Sequence, residues 1–153
     1  MNTHKSSHST LAKTLSWIAV IVWAVLIFVA SAKSGLDFDT GNDPLELARR
    51  WLADVLSSLM GRPVDPSPIG HFSEYLVFSA LLFNALRMHL HTRSSRVALC
   101  AIAIAAAYAV TDEFHQMFVP GRECDPVDWI VDVAAATIAA FVFAAVLNNC
   151  RRR

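Results

Sequence analysis

The sequence has no net charge, no strong metal-binding motif and no internal repeat. Its 13 basic residues balance its 13 acidic residues, so composition favours no charged partner, and we predict no nucleic-acid partner. Neither an H-E-x-x-H nor a C-x-x-C motif occurs, so spacing assigns no metal ligand. The absence of a repeat argues against a single-chain transporter, although a dimer would provide a path.

Apolar residues are abundant instead. They make up 55% of the 153 residues, and the mean hydropathy is +0.43, which is high for a soluble domain of this length. A helix needs about 20 residues to cross a bilayer, and residues 14–32 form a run of 19 without a charge. This run predicts a first span. A secretory signal peptide is the alternative, because Ala30-Ser31-Ala32 has the form of a cleavage site.

Three later segments reach membrane length only if they include ionisable residues. A proline favours the start of the last of them, because its missing N–H is not needed in the first helical turn. We predict spans over residues 69–88, 97–119 and 126–149, which include His71, Glu74, Asp112, Glu113, Asp128 and Asp132.

Basic residues in the short loops predict the orientation. With the amino terminus in the cytoplasm, eight of the 13 basic residues lie on the inner side and five on the outer side. We therefore predict an all-α membrane protein: a four-helix bundle with both termini cytoplasmic, a single membrane domain over residues 14–149, and cytoplasmic tails over residues 1–13 and 150–153. The ionisable residues of the spans then share the outer leaflet.

The outer loop over residues 33–68 contains a segment with helical periodicity. Charged residues of this segment lie mostly on the side opposite the apolar ones. We predict an amphipathic helix on the outer membrane surface, and an ordinary solvated helix fits the pattern equally well. The apolar residues at helical spacing are Leu45, Ala48, Leu52, Val55, Leu56 and Leu59.

Two small-residue patterns bear on packing. The spacings Ala105 to Ala109 and Ala135 to Ala139 allow helices to approach closely in a membrane. Alanine is also common in any membrane helix, so this pattern alone does not identify a contact.

The three cysteines predict no intramolecular disulfide. Cys100 lies in the inner half of the third predicted span and Cys150 at the inner end of the fourth, whereas Cys124 lies in an outer loop. Bridged Cα atoms lie within about 7 Å of each other. Cys124 is then either free or paired with a second copy, so a homo-oligomer stays open.

The ionised side chains need a physical reason, because each costs about 2.5–3.5 kcal/mol at mid-span. Asp112 and Glu113 lie near a helix carboxyl end, where the macrodipole is already negative. Three interpretations stay open: a metal site, acid and base chemistry in which Arg122 holds a phosphate, or a salt-bridge network that fixes helix register. The positive partners available to the two acids are Arg122, Lys33, His71, His115 or a bound cation.

The polar motifs resemble those of the VanZ-like family of small bacterial membrane proteins. Residues 71–75 read HFSEY, residues 112–122 read DEFHQMFVPGR, and Asp128 and Asp132 follow. The resemblance covers nearly the whole chain from the first span. There are two departures: Pro68 stands where members often carry Lys, and Ala135 aligns where they often carry Gly. Loss of the Lys removes one candidate phosphate contact.

The resemblance implies a multi-pass protein of the bacterial inner membrane, and some relatives are linked to resistance against glycopeptides such as teicoplanin. It implies no settled reaction or cofactor, so whether the chain is an enzyme stays open. Our first hypothesis is an outer-leaflet polar pocket that binds, and modifies, a membrane lipid or lipid-linked envelope precursor through its phosphate-bearing head group. The alternative is a non-catalytic protein that alters antibiotic access. The candidate catalytic residues are His71, Glu74, Asp112 and Glu113, and the candidate substrate-binding residues are Tyr75, Gln116, Arg122, Asp128 and Asp132.

Overall fold

The computed structural model describes residues 3–32, 44–63, 67–122 and 124–150. Several residues of the sequence predictions lie outside these ranges. They are Lys33 and the other residues of the outer loop up to residue 43, Glu123, and the basic tail over residues 151–153.

Helices account for the regular structure of the described residues, and no strand occurs among them. This confirms the predicted all-α class. The five helices are α1 (Thr3–Ser31), α2 (Pro44–Met60), α3 (Ser67–His89), α4 (Ser94–Gln116) and α5 (Pro126–Cys150).

Local chemistry explains how α4 ends and α5 begins. The helix α4 ends at Gln116, three residues before the predicted limit, and tighter turns follow, in which the Phe118 and Val119 N–H groups donate to His115 O and Gln116 O at 3.0 Å. Gly121 then takes a positive φ of 77°, which suits a residue without a Cβ. The chain enters α5 through Asp125, whose Oδ1 accepts the Val127 N–H at 2.8 Å and caps the helix.

Four helices are long and apolar enough to cross a membrane: residues 10–31 of α1 and the whole of α3, α4 and α5. Their outward surfaces carry large apolar side chains that are about half exposed, including Ile21, Val25, Ile130 and Val146. Such continuous apolar surface is unfavourable in water and suits contact with lipid. The chain is therefore a multi-pass membrane protein.

The helix α3 lies at the centre of the bundle, where it contacts α1, α4 and, most extensively, α5. Its buried face carries Tyr75, Phe78, Leu82 and Phe83. The facing surfaces of α4 and α5 are lined by buried alanines, which let the backbones approach closely. The buried alanines include Ala105, Ala109, Ala135 and Ala139.

The helix α2 forms within the segment that the periodicity selected. It contacts α3, and it buries Ala53 while Trp51 and Leu59 are mostly exposed.

The alanine packing gives a testable prediction. Ala105→Leu adds three carbon atoms at a fully buried position of α4, and overpacking of this kind costs about 1–3 kcal/mol. Ala107→Leu is the matched control, because Ala107 is exposed on the same helix. We expect thermal unfolding in detergent to occur at a lower temperature for Ala105→Leu only. Equal unfolding temperatures for the two variants would contradict this packing.

Candidate functional site

The polar residues of the spans meet at one end of the bundle. The helices α3 and α5 begin at this end, and α1 and α4 finish there, so residues distant in sequence come into contact. All of the site residues described below belong to these helix ends or to the turn between α4 and α5. The geometry brings together the residues that the sequence selected as ionisable members of spans.

His71 lies between two carboxylates of α5. Its Nδ1 is 3.2 Å from Asp132 Oδ1, and its Nε2 is 3.5 Å from Asp128 Oδ2. Asp132 is fully buried, His71 is 4% exposed, and the Asp128 side chain is 13% exposed. Because Asp128 and Asp132 are four residues apart, they share one face of α5 and approach His71 from the same side.

Asp112 is held by a residue of the first span. The Ser31 hydroxyl donates to Asp112 Oδ1 at 2.5 Å, and Gln116 Nε2 donates to the Ser31 oxygen at 3.1 Å. All three side chains are at most 3% exposed. Ser31 was not among the predicted site residues, because a single serine in an apolar run carries no signal of its own. Its place within one helical turn of the span end was the available clue.

Glu113 turns to the loop rather than to a basic residue. Its Oε2 accepts the backbone N–H of Asp125 at 3.0 Å, and the side chain is 5% exposed. Asp125 itself is exposed. A single backbone donor thus satisfies one oxygen of Glu113 and ties the end of α4 to the start of α5.

Three further predicted residues lie in the same cluster and contribute charge or a polar group to it. Tyr75 is fully buried, and its hydroxyl lies near Asp112 and Asp132. Glu74 is half-buried and interacts electrostatically with His71. Arg122 is half-buried at the turn and interacts electrostatically with Asp112. All nine predicted residues therefore contribute to one cluster.

His115, a suggested partner for the acids, has a second role. Its ring stacks on Phe28 of α1, with centroids 4.2 Å apart. It still interacts electrostatically with Asp112. The stacking attaches the end of α4 to α1, as does the hydrogen bond that Tyr108 OH donates to Ala24 O at 2.7 Å. Trp23 Nε1 of α1 donates to Glu74 O of α3 at 3.0 Å and so attaches α1 to α3.

The cluster is chemically suited to cation binding and to proton transfer. One ligand atom each from His71, Glu113 and Asp132 can be chosen so that the three lie within 4.8 Å of one another.

In the adjoining loop, Cys124 is exposed and unpaired, and desolvation by its neighbours, with the charge of Glu113, raises the pKa of its thiol. This thiol is therefore a slow nucleophile at neutral pH.

The contact between Ser31 and Asp112 gives a second prediction. Ser31→Ala removes the hydroxyl that donates to Asp112 and accepts from Gln116, and a buried polar group left without a partner costs about 1–3 kcal/mol. Ser16→Ala is the control, because its hydroxyl bonds only within α1, to Lys13 O. We expect the loss of stability in detergent unfolding to be larger for Ser31→Ala. An equal loss would show that Ser31 contributes nothing to the site.

Comparison with known proteins identifies the family. No curated protein and no solved structure matches the chain. The family model VanZ/LLP1 matches residues 16–148, which include most of the first and fourth spans, the whole of the other two, and every polar residue of the cluster. On this match, the chain belongs to the VanZ-like family.

Proposed function

We propose that the polar cluster is a pocket in the outer leaflet of the bacterial inner membrane that binds, and modifies, a phosphate-bearing lipid head group. The observation that carries the proposal is the burial of Asp112, Glu113 and Asp132 at one end of a membrane bundle, beside Arg122. Ionisable groups within spans are costly, so they are functional candidates by default.

Each side chain has a distinct role in this proposal. Arg122 binds the phosphate, since a guanidinium presents paired N–H donors to phosphate oxygens. His71, between Asp128 and Asp132, accepts or delivers a proton. Tyr75 and Gln116 add polar contacts, and the carboxylates of Glu74, Asp112 and Glu113 complete the set of acid and base groups.

The orientation and the outer helix complete the proposal. The positive-inside rule supports cytoplasmic termini, so the pocket faces the outer leaflet, where α2 lies on the surface as a lid over it. The hydrogen bond from Ser31 to Asp112 supports a first span that is retained rather than cleaved as a signal peptide. Resistance to glycopeptides such as teicoplanin follows if the modified lipid is a cell-wall precursor.

The direct test compares two lipids that differ only in the phosphate. The protein in nanodiscs is titrated with a polyprenyl phosphate and with the polyprenol of equal length, and binding is measured by native mass spectrometry. We expect the phosphate to bind at least about tenfold more tightly, as one charged hydrogen bond contributes about 1.5–3 kcal/mol. Equal binding of both lipids would contradict the proposal.

A structural clamp is the second candidate, and a specific contact favours it. The Ser31 hydroxyl joins α1 to α4 through Asp112 and Gln116, and His71 joins α3 to α5 through Asp132. In a clamp these bonds fix helix register, and the protein acts by altering antibiotic access. Glu74→Gln separates the two, because it keeps the shape of a half-buried side chain. A site predicts lost teicoplanin resistance at normal membrane abundance, whereas a clamp predicts unchanged resistance at normal abundance.

A further inference from the structure

Three metal-type ligands from three helices converge in the interior of the cluster. His71 of α3, Glu113 of α4 and Asp132 of α5 each offer one ligand atom, and these atoms lie within 4.8 Å of one another. The three side chains are 4%, 5% and 0% exposed. Sequence spacing gave no sign of this set, because each ligand comes from a different helix.

The same residues hold buried polar atoms that lack a hydrogen-bond partner within the described part of the chain. These atoms are Glu113 Oε1 and Asp132 Oδ2, whereas His71 Nδ1 and Asp132 Oδ1 face each other at 3.2 Å. Desolvated groups of this kind are expensive unless a partner compensates them. A proton on His71 would offset only one of the two carboxylates, so one negative charge would be left over.

The outer atoms of two of these ligands are already committed elsewhere, which leaves the inner atoms for a shared ligand. His71 Nε2 faces Asp128 Oδ2 at 3.5 Å, and Glu113 Oε2 accepts the Asp125 N–H. In metal sites, a histidine typically directs its second nitrogen to a carboxylate, and ligating carboxylates are themselves hydrogen-bonded. The carboxylate of Asp128 and the amide of Asp125 occupy those supporting positions.

We propose that His71 Nδ1, Glu113 Oε1 and a carboxylate oxygen of Asp132 bind a divalent transition-metal ion, with Zn²⁺ preferred over Mg²⁺ and Ca²⁺. A neutral imidazole with two carboxylates balances the charge of a divalent ion. Zinc lies about 2.0–2.2 Å from such donors, so two donors are at most about 4.4 Å apart, and the observed set needs only a small contraction. Imidazole ligation selects against the hard ions, and three protein ligands leave a fourth position open to water or substrate.

With the metal bound, His71 is a ligand and leaves proton transfer to the other acid and base groups of the cluster. The inference does not depend on the lipid head group proposed above, and metal content tests it separately. The protein is purified in detergent with a tag that contains no histidine, treated with EDTA, dialysed, and titrated with Zn²⁺, Mn²⁺, Mg²⁺ and Ca²⁺. Bound metal is measured by inductively coupled plasma mass spectrometry, and Co²⁺ serves as a spectroscopic probe of the ligand field. We expect about one Zn²⁺ per chain and a rise in unfolding temperature with Zn²⁺.

Conservative variants locate the site. Asp132→Asn and Glu113→Gln keep side-chain size and remove one anionic ligand, and each is expected to lower Zn²⁺ affinity about tenfold or more. The matched controls are His91→Asn and Asp54→Asn, which alter an exposed histidine and an exposed acid and should bind Zn²⁺ as the wild type does. Circular dichroism and the elution volume in size-exclusion chromatography verify folding. If one site variant does not accumulate, the other variant and the wild-type titration still test the metal site.

Either of two results would overturn the proposal. The first is a wild-type protein that takes up no Zn²⁺ or Mn²⁺ after EDTA treatment. The second is equal Zn²⁺ affinity in the wild type and in a folded Asp132→Asn or Glu113→Gln variant. Failure of the polyprenyl phosphate to bind would leave both measurements unaffected, so the two proposals fail separately.

Discussion

Asp132→Ala is expected to destabilise the protein by about 3 kcal/mol or more. Asp132 is fully buried, and its Oδ1 lies 3.2 Å from His71 Nδ1. Removal of one partner from a buried pair leaves the other desolvated without compensation, a change that costs about 3–5 kcal/mol. The measurement is equilibrium unfolding in mixed micelles with SDS, carried out in EDTA so that bound metal does not contribute.

A double-mutant cycle isolates the contact. His71→Ala, Asp132→Ala and the double variant are compared, and residues in direct contact are expected to couple by more than about 0.5 kcal/mol. Asp54→Ala removes an exposed carboxylate of α2 and should change stability by less than about 0.5 kcal/mol. Additive effects of His71→Ala and Asp132→Ala would contradict the pair.

Arg122→Gln is expected to lower the affinity for polyprenyl phosphate about 10- to 100-fold. A charged hydrogen bond to phosphate contributes about 1.5–3 kcal/mol, and each 1.4 kcal/mol is about a tenfold change in affinity. Arg122 is half-buried at the turn that carries the site, so its contact with the phosphate is partly shielded from water. Charge interactions are stronger in such a shielded environment than in water. Native mass spectrometry in nanodiscs measures the affinity.

The matched control for this prediction is Arg62→Gln. Arg62 is exposed after α2 and shares the predicted outer side, so it reports the general attraction of basic residues for anionic lipid. Arg62→Gln should leave the affinity within about twofold of the wild type. If both variants bind polyprenyl phosphate as the wild type does, Arg122 does not hold the phosphate.

The positions of the spans and the members of the site could be predicted because few chain arrangements satisfy the length and topology requirements of a membrane protein. Apolar runs of membrane length allow little freedom, and the short connections place consecutive spans in opposite directions. His71, Asp112 and Asp132 had to lie near helix ends for their spans to reach full length. Their clustering at one end of the bundle followed from that alternation.

The pairing of these residues could not be predicted. Asp112 had five candidate partners on sequence, yet its shortest hydrogen bond is to Ser31, a neutral residue of the first span. One oxygen of Glu113 accepts a hydrogen bond from a backbone amide, and backbone donors carry no sequence signal. Which atoms of His71 face which carboxylate depends on the rotation of α3 against α5, and this rotation is set by packing of buried side chains.

The end of α4 shows a smaller limit of the same kind. Membrane length favoured a helix to residue 119, whereas the structure ends it at Gln116. The turn that follows contains Pro120 and Gly121, and it brings Asp125 close enough to donate to Glu113. A rule based on span length cannot predict that the helix ends early and that the turn after it forms a hydrogen bond within the site.

We propose that the site lies at the non-cytoplasmic side of the membrane, and Cys124 allows a direct measurement. Cys124 is exposed in the turn beside Glu113. With Cys100 and Cys150 replaced by alanine, intact cells are treated with a membrane-impermeant maleimide. The reaction is run at mildly alkaline pH, because the raised pKa of the Cys124 thiol lowers its thiolate fraction at neutral pH.

Two controls frame this labelling. Cys124→Ser should abolish the signal, and a cysteine introduced by His91→Cys in the connection between α3 and α4 should react only after the membrane is permeabilised. The account predicts that Cys124 is labelled in intact cells while the His91→Cys position is protected. Labelling of Cys124 only after permeabilisation, with His91→Cys labelled from outside, would place the site in the cytoplasm and contradict the account.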